Sequence, residues 1–454
     1  MAGHTLAAGP PGGRALMASP AHWGVLGGGM LGLTLALRLA QGGQRVTLLE
    51  AAPELGGLTA GWSLGDVVWD RYYHVITLSD AKLLALLAEL DLESEVRWGV
   101  TRTNYFDGHR LSPLDNVFDY LRLPVIGMLD KARLAMTILY AARRADGSPL
   151  EAIPVADWLI RWSGRRTYER VWRPLLRAKL GSNHDKASAA FIWGVIRRFY
   201  SARRGGRQTE MFGTVAGGYP RVLSVLSEFV GAAGVRIEVG SPVKAVRREG
   251  DGFAVETPGG SHAFDRVVAT FAAPIAARLC QGLKDRERAS LENVLYQGVI
   301  CASLLLRRPL GGAYLTYIAD EAIPFTAVIE MSSLVDRSQF RGHHLVYIPR
   351  YVPADDAWFE LDDEAIRERF LAGLVRMFPD LAADDILALQ IARTRHVVAI
   401  PTIGYSSRLP PMATSVPGLF IVNSAHITSG ALAVDETVNL ANNAAMRLLA
   451  EGVP

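Results

Sequence analysis

The stretch WGVLGGGMLGLTLALRLAQGGQRVTLLE, Trp23 to Glu50, decides how the first part of this chain folds. Its opening apolar run is short and ends at Gly27, which is typical of a buried parallel strand. The next residues carry apolar side chains at helical spacing and stop at the pair Gly42-Gly43, where a helix is expected to end. RVTLLE, Arg45 to Glu50, then reads as a second apolar strand that finishes on an acid. The stretch therefore predicts a strand, a helix and a second strand in direct succession.

Gly27, Gly29 and Gly32 match the pattern GxGxxG at the first turn of this unit. The first glycine allows a tight turn, the second lets the backbone approach a pyrophosphate, and the third lets the helix pack closely on the strand. The helix N-terminus offers free N–H groups to phosphates. Glu50 stands where a carboxylate accepts hydrogen bonds from ribose hydroxyls. The pattern predicts a dinucleotide site but does not separate NAD from FAD.

A second glycine pair follows in EAAPELGGLTAGW, Glu50 to Trp62. This segment resembles the extension found in the FAD-dependent amine oxidase superfamily, which includes protoporphyrinogen oxidases, phytoene desaturases and, more distantly, UDP-galactopyranose mutases. The resemblance implies FAD as the cofactor, with the pair lying against its pyrophosphate and ribityl chain. It assigns that place to Gly56, Gly57, Leu58 and Thr59. Leu58 stands where many amine oxidases have arginine.

Two segments in the middle of the chain support the resemblance. TVAGGYPRVLSVLSEFV, Thr214 to Val230, is similar to the glycine pair that opens a helix in that family. The stretch from 235 to 269 alternates polar and apolar residues between EGDG and PGG turns, which predicts a β-meander. The resemblance implies that Val243, within it, meets the adenine through its backbone.

The C-terminal segment VPGLFIVNSAHITSGALAVDETVNLANNAAMRLL resembles the closing strand and helix of the family. The resemblance implies that the helix N-terminus near Thr437 and Val438 points at the flavin pyrimidine. Relatives commonly have Gly-Asp where this chain has Asn423 and Ser424. Serine can still bond to phosphate or ribityl oxygens, so we expect Ser424 to take that contact.

DRYYHVI, Asp70 to Ile76, resembles a DRFYHHI-like signature of bacterial protoporphyrinogen-oxidase-like proteins of unassigned substrate. Arg71, Tyr72, Tyr73 and His74 combine a cation, two phenols and an imidazole, which suits an oxygenated or anionic substrate near the flavin. We predict that His74 or Tyr73 is the acid/base, with Arg71 beside them. In the alternative interpretation the tyrosines are core aromatics and His74 is a buried structural histidine.

Two helical segments carry many basic residues. In the segment 164–181, GRRTYERVWRPLLRAKLG, we expect a solvated helix face, with an anion site as the second interpretation. The segment 122–144 is apolar with basic ends. We expect it to be buried between domains; a cap on the substrate cavity and peripheral contact with a membrane are the alternatives.

The whole chain has 454 residues, 50% of them hydrophobic, and a net charge of +3. This length indicates two joined domains, and the weak charge argues against nucleic-acid binding. Cys280 and Cys301 form no CxxC, so we expect neither a disulfide framework nor a metal site, and we predict a cytoplasmic protein. No apolar run is long enough for a transmembrane helix, and the first residues lack the apolar core of a signal peptide.

We predict an α/β fold in which a discontinuous Rossmann-like FAD-binding domain is joined to a second α+β substrate or cap domain. The second domain should combine helices with an antiparallel sheet built from VICASLLLRR, YLTYIA, FTAVIEM and HHLVYIPRYV. The expected boundaries are 1–21 for a flexible lead-in, 22–76, 211–277 and 401–454 for the FAD domain, and 77–210 with 278–400 for the substrate domain.

The function favoured by the sequence is that of an FAD-dependent oxidoreductase: a dehydrogenase, oxidase or desaturase. An organic substrate, hydrophobic or polycyclic, would give a hydride to flavin N5. Since a second GxGxxG is absent, we expect oxygen or a quinone rather than NAD(P)H as the redox partner. Two alternatives stay open. One is a non-redox flavoenzyme of the UDP-galactopyranose mutase type acting on a sugar nucleotide or glycoconjugate; the other is an FAD-stabilised protein that binds partners without turnover.

Overall fold

A computed structural model describes residues 20–114, 119, 126–201, 211–428 and 433–450, so the expected lead-in of residues 1–21 lies almost wholly outside the described part. The strands are β1 (His22–Leu26), β2 (Arg45–Leu49), β3 (Gly61–Leu64), β4 (Val67–Asp70), β5 (Val96–Val100), β6 (Thr103–Phe106), β7 (Leu111–Pro113), β8 (Met211–Val215), β9 (Arg236–Glu238), β10 (Ala245–Glu249), β11 (Gly252–Thr257), β12 (Gly260–Phe264), β13 (Arg266–Ala269), β14 (Tyr296–Leu306), β15 (Leu315–Ile318), β16 (Ala327–Glu330), β17 (His344–Pro353), β18 (Ile386–Ala399) and β19 (Leu419–Ile421).

Helices alternate with these strands along the chain. The α-helices are Met30–Gln41, Ala81–Glu89, Met128–Arg143, Val155–Ser163, Arg165–Thr167, Arg173–Leu180, Ala189–Ser201, Gly218–Ala232, Ala273–Leu279, Asp285–Glu292, Asp363–Met377, Tyr405–Arg408 and Val434–Ala450, and a π-helical turn covers Tyr168–Trp172. Within the described ranges, no helix is both long and apolar enough to cross a membrane.

The opening stretch forms the centre of a five-stranded parallel sheet in the order β19-β13-β1-β2-β9. Val25 and Leu26 of β1 are fully buried: Val25 packs in the core formed with the helix Met30–Gln41, and Leu26 packs in a second core with Phe253 of β11 and Phe264 of β12. The helix Met30–Gln41 contributes Leu33 and Leu37 to the same core as Leu440 of the C-terminal helix. The predicted strand, helix and second strand are therefore confirmed.

This sheet is assembled from distant parts of the chain. Its strands β1 and β2 come from the first fifty residues, β9 and β13 from the middle, and β19 from the C-terminal part. The predicted meander forms the three-stranded antiparallel sheet β10-β11-β12 beside it. The discontinuous Rossmann-like arrangement expected from the sequence is present.

A second, larger sheet has the order β18-β14-β17-β16-β15-β6-β7 and is antiparallel except between β15 and β6. Its strands β14 to β17 correspond to the four stretches predicted from sequence. Strand β18 was not predicted. Among the described strands it pairs only with β14, at the edge of the sheet. It is half-exposed on both faces, so its residues, including Arg393 and Arg395, show no clean alternation.

Helices between residues 128 and 201 pack around a core of their own, which includes Leu134, Trp158, Leu159 and Leu176. The expectation that the segment 122–144 is buried is wrong for its described part. The helix Met128–Arg143 buries one side and leaves a row of apolar side chains in solvent.

Candidate active site

The first glycine turn forces helix and strand together. Gly27 has a φ of +114°, a conformation that side chains rarely adopt, and its N–H donates to the Leu49 carbonyl over 2.8 Å. A Cβ on Gly32 would lie 1.8 Å from the Gly27 carbonyl oxygen. The start of the helix Met30–Gln41 therefore rests directly on the end of β1, and only glycine fits at position 32.

The second glycine pair lies beside the first turn. Gly56 and Gly57 both have positive φ values, and the Gly56 N–H donates to the Gly28 carbonyl over 2.8 Å. A Cβ on Gly29 would meet nothing closer than the Gly56 carbonyl at 3.8 Å. The two glycine loops thus run side by side, with open space above Gly29. Such a cleft between backbone segments at a helix N-terminus fits a pyrophosphate.

Glu50 lies at the end of β2 beside this cleft. Its carboxylate accepts the Gly28 N–H at 2.5 Å and the Ala52 N–H at 2.8 Å. The Glu50 carbonyl accepts the Ser241 N–H, which brings the loop before β10 to the same edge. In that loop the backbone N–H and C=O of Val243 have no hydrogen-bond partner among the described residues. Unpaired backbone groups beside a glycine cleft fit the edge of a bound heterocycle.

Leu58 and Thr59 continue the second glycine loop. Thr59 is buried, and its hydroxyl donates to the Gly56 carbonyl over 2.9 Å, which stabilises the turn. Leu58 packs in the same apolar cluster as Tyr73 and Val75. The loop therefore connects the glycine cleft to the DRYYHVI segment.

Asn423 and Ser424 connect β19 to the neighbouring strand. Asn423 is buried; its amide N–H donates to the Phe271 carbonyl at 3.1 Å, and its amide oxygen accepts the Ala425 N–H. Ser424 is half-buried. Asparagine thus has a structural task that glycine could not perform, while Ser424 lies at the edge of the sheet.

The structure places Thr437 and Val438 one turn inside the C-terminal helix. The Thr437 N–H and hydroxyl both donate to the Ala433 carbonyl, at 3.1 and 3.0 Å, and Val438 is fully buried in the core. The unpaired N–H groups of a helix belong to its first turn, here residues 434–436. Within that turn Asp435 accepts the N–H groups of Lys82 and Leu83, so the end is anchored to the helix Ala81–Glu89.

Asp70, the first residue of DRYYHVI, is a buried acid that holds the second half of the site. Its Oδ1 accepts the Tyr219 N–H over 2.7 Å at the start of the helix Gly218–Ala232. A Cβ on Gly218 would lie 2.7 Å from the same oxygen. Burial raises the pKa of Asp70 to about 8. The acid is therefore mostly protonated at neutral pH.

His74 follows Asp70 by four residues and lies in a loop. Its Nδ1 is 3.1 Å from the Tyr72 carbonyl and 3.8 Å from Oδ2 of Asp70. Because a carbonyl only accepts, Nδ1 carries the proton and Nε2 keeps a lone pair. Burial lowers the pKa of His74 to about 4. The two groups are both uncharged near neutral pH, so their contact is not an ion pair, and Nε2 is free to accept a proton.

Tyr73 begins a chain of polar groups that reaches the surface. Its hydroxyl is hydrogen-bonded to the Tyr351 hydroxyl, which accepts from Nζ of Lys179 at 3.2 Å. The Lys179 ammonium also lies 4.4 Å from the centre of the Tyr351 ring. Burial raises the pKa of Tyr73 well above its usual value. The chain connects a buried phenol to an exposed cation.

Arg71 joins this loop to the second glycine loop. Its backbone N–H donates to the Ala60 carbonyl at 3.0 Å, and its guanidinium lies 5.7 Å from the centre of a Trp62 ring. The buried Nε of Arg71 has no hydrogen-bond partner among the described residues. An unpaired buried donor of this kind fits a ligand oxygen.

The structure thus brings Arg71, Tyr73 and His74 together on one loop. Tyr72, by contrast, points into the second sheet, where its hydroxyl bonds to Thr394 at 2.7 Å. Sequence reasoning missed Asp70 as a partner of His74, although it begins the same motif. It also missed Tyr351, because only the pairing of β17 with β14 brings that residue to the site. No group of three metal-ligating side chains occurs in the part of the chain that is described.

Comparison with known proteins gives one family over most of the chain. Residues 31–449 match the model of flavin-containing amine oxidoreductases. The 15-cis-phytoene desaturase of Narcissus pseudonarcissus is 22% identical over 406 residues, which are 84% of this chain and 70% of that protein.

Two solved structures share the fold. A candidate protoporphyrinogen oxidase from Exiguobacterium sp. 255-15 superposes with a TM-score of 0.77 and 18% identity, over 96% of this chain and 100% of the other. A reduced UDP-galactopyranose mutase superposes with a TM-score of 0.70 and 15% identity, over 96% of both chains. Given the family match over residues 31–449 and the glycine cleft described above, the chain belongs to the flavin-containing amine oxidoreductases and is an oxidoreductase enzyme with FAD as its cofactor.

Proposed function

We propose that this enzyme oxidises a hydrophobic or polycyclic organic substrate as a dehydrogenase, oxidase or desaturase. The observation that carries the proposal is the direct contact between the second glycine loop and the Arg71–His74 loop, through the Arg71 N–H and the Ala60 carbonyl. FAD bound in the cleft supplies an N5 atom that accepts a hydride. The chain's own residues hold the substrate and take up its proton.

We assign FAD binding to residues of both glycine loops and of the elements beside them. The glycines would form the cleft that holds the phosphates, Glu50 would accept hydrogen bonds from the ribose hydroxyls, and the Val243 backbone would contact the adenine. The proposed set is Gly27, Gly29, Gly32, Glu50, Gly56, Gly57, Leu58, Thr59, Val243, Ser424, Thr437 and Val438. The Thr437 N–H is already bonded to the Ala433 carbonyl within the helix. The residues just before Thr437 and Val438 would therefore make the contact with the flavin.

An apolar substrate is supported by the surroundings of the Arg71–His74 loop. Tyr72, Phe212, Tyr314 and Met331 belong to one apolar cluster, against which Tyr73 packs. The plant relatives that cover 84% of this chain are named for 15-cis-phytoene. We therefore place the substrate among uncharged organic molecules.

We propose His74 as the proton acceptor. Its Nε2 has a lone pair, and its lowered pKa keeps the ring neutral above about pH 4. Tyr73 would orient the substrate or return protons through Tyr351 and Lys179, whose hydrogen bonds lead outward. The unpaired Nε–H of Arg71 would donate a hydrogen bond to an oxygen of the substrate or cofactor.

The electron acceptor and the cellular setting are also proposals. Oxygen or a quinone would reoxidise the flavin, and the enzyme would work in the cytoplasm with peripheral contact to a membrane. The exposed apolar row on the helix Met128–Arg143 supports such a contact.

The mutase-type alternative has weaker support. A sugar nucleotide needs cations directed at its phosphates, but three of the five arginines in the segment 164–181 lie within 4.0 Å of an acid. Arg165 lies 4.0 Å from Glu169, Arg166 4.0 Å from Asp130, and Arg177 2.5 Å from Glu321.

The reaction class can be tested by anaerobic titration of the holoenzyme with phytoene and with protoporphyrinogen. We expect one of these substrates, or a close analogue, to bleach the oxidised flavin absorbance near about 450 nm in a single turnover. Oxygen or a soluble quinone should then restore the absorbance. Turnover of a UDP-sugar that needs prior dithionite reduction and leaves no net redox change would contradict the proposal.

The cofactor cleft is tested by Gly29→Val. Because a Cβ at Gly29 meets nothing closer than 3.8 Å, this variant should fold but fill the space between the loops. We expect a loss of most of the bound FAD, measured as flavin absorbance per protein, and Glu50→Ala should also release FAD. Gly231→Val is the control, since its Cβ also meets nothing within 4 Å and it lies on another helix. Normal flavin content in Gly29→Val would contradict the assignment.

The role of His74 is tested by His74→Ala. If it accepts a proton, single-turnover flavin reduction should fall about 100-fold at unchanged FAD content and melting temperature. In the wild type the rate should decline as the pH falls through about 4, because the ring is then protonated. The exposed His109→Ala is the matched control. A destabilised His74→Ala that reduces its bound flavin at the normal rate would show a purely structural histidine.

The buried state of Asp70 is tested by Asp70→Asn. Its pKa is raised from 3.8 to about 8 on folding, so its stabilising contribution is complete below about pH 4 and is lost as the pH rises to about 8. The amide has no such pH dependence and can still accept the Tyr219 N–H. The free energy of unfolding of Asp70→Asn relative to wild type, measured in urea, should therefore increase between about pH 5 and pH 9. The exposed Asp251→Asn should show no such trend, and a flat difference for Asp70→Asn would refute the buried acid.

A further inference from the structure

The helix Met128–Arg143 buries a side that carries both polar and apolar residues. Lys131, Leu134, Thr137 and Ala141 face the protein, and the Thr137 hydroxyl accepts a hydrogen bond from Ser163 at 3.0 Å. On the other side Met128, Leu129 and Met136 are 65%, 75% and 59% exposed. Apolar side chains therefore lie on both sides of this helix, in the core and in solvent, whereas a surface helix of a globular protein usually has a polar outer side.

The exposed apolar side chains form one continuous stripe. Leu129, Ala132, Met136 and Leu139 recur every three or four residues, so they lie on one face, and all are exposed; Arg143 continues the same face at its end. A contiguous exposed apolar surface of this kind is typical of a docking site rather than of ordinary solvent-facing helix.

Two aromatic rings extend the stripe onto the next helix. Tyr140 stacks on Trp162 of the helix Val155–Ser163, with ring centres 4.2 Å apart and planes at 20°. Both rings are partly exposed, and the Tyr140 hydroxyl accepts from Arg144 at 3.0 Å. Together with Met136, Leu139, Arg143 and Arg144 they line a surface cavity of about 490 Å³.

Arginines lie on the two helices that carry this apolar surface and on the residues that follow the second helix. Arg143, Arg161, Arg165, Arg166 and Arg170 are all exposed. Acidic residues are fewer: Asp130 and Glu169 lie 4.0 Å from Arg166 and Arg165, and Asp146 and Asp157 are exposed nearby. The border of the apolar stripe therefore has an excess of positive charge.

We propose that the surface formed by Leu129, Met136, Leu139, Tyr140 and Trp162, here called the Leu129–Trp162 surface, docks onto a lipid bilayer that contains anionic phospholipid. Leucine and methionine side chains enter the acyl region, and tryptophan and tyrosine rings occupy the interface. The flanking arginines then meet lipid phosphates. The proposal names the partner of the peripheral contact proposed above and does not depend on the reaction that the flavin performs.

A second copy of this chain is a poorer occupant than a bilayer. In a two-fold dimer the same patch meets itself, so Arg143 and its neighbours would lie against identical arginines. Like charges at such short range oppose association. An anionic lipid surface instead provides the complementary charge and the apolar interior together.

The test is cosedimentation of the FAD-loaded enzyme with vesicles of phosphatidylcholine, with and without phosphatidylglycerol. We expect the wild type to bind vesicles that contain phosphatidylglycerol and to bind less tightly as salt is raised. Leu129→Ser combined with Met136→Ser should weaken binding about tenfold or more, because apolar surface no longer enters the lipid. Met446→Ser is the control, since Met446 is 64% exposed on the helix Val434–Ala450.

Replacement of charge gives a second arm. Arg143→Gln with Arg165→Gln should weaken binding to phosphatidylglycerol vesicles and leave the weak binding to pure phosphatidylcholine unchanged. Melting temperature and flavin content should match the wild type in every variant.

Three results would overturn the proposal. The first is a wild type that binds neither vesicle, and the second is equal binding by the Leu129/Met136 and Met446 variants. The third is lipid-free self-association, seen by analytical ultracentrifugation, that the Leu129/Met136 variant abolishes; this would assign the surface to a second copy of the chain. Failure of the flavin titration with phytoene would contradict the proposed reaction only and would not alter these binding results.

Discussion

The structure depends on one close approach between backbone segments. A Cβ at Gly32 would lie 1.8 Å from the Gly27 carbonyl, so a side chain there would lift the helix Met30–Gln41 off β1. With the helix seated, the Gly28 carbonyl can accept the Gly56 N–H, and the second glycine loop takes its place beside the first. That loop then passes to Arg71 through Ala60. The cofactor cleft and the candidate catalytic loop are thus consequences of the same contact.

Hydrogen bonds between distant residues hold the other strands of the five-stranded parallel sheet around this turn. The Thr270 hydroxyl donates to the Leu26 carbonyl at 2.9 Å, which joins the end of β13 to the end of β1. Asn423 then joins β19 to Phe271. Apart from β1 and β2, neighbouring strands of this sheet come from distant parts of the chain: Trp23 pairs with Arg266, and Val267 pairs with Leu419. Polar side chains at the strand ends align these distant segments with the glycine turn.

Local chemistry explains what could be predicted from the sequence. The spacing of Gly27 and Gly29 follows from the tight turn between one strand and the next helix, which involves only neighbouring residues. The strand, the helix and the cleft between them could therefore be predicted. The hydrogen bond between Tyr73 and Tyr351 depends on the pairing of β17 with β14, and the sequence around either tyrosine does not indicate that pairing. The prediction that the segment 122–144 is buried between domains failed for a different reason. An apolar stripe on a helix indicates that the stripe is covered, but the sequence does not show whether protein or another apolar partner covers it.

Burial also explains the electrostatics of the candidate site and favours an uncharged substrate. The same removal from water raises the pKa of Asp70, raises that of Tyr73 and lowers that of His74, so all three are mostly neutral near pH 7. A doubly charged phosphate placed among neutral groups would lose its hydration without gaining a matching cation. Arg71 is the cation of this loop, and its unpaired Nε can serve a single oxygen. While one C–H bond of the substrate would give its hydride to the flavin, a neutral imidazole with a free Nε2 could take the proton from the atom next to that carbon, and the uncharged product would need no counter-ion in the pocket. The arrangement therefore suits the oxidation of an apolar molecule better than the handling of a sugar nucleotide.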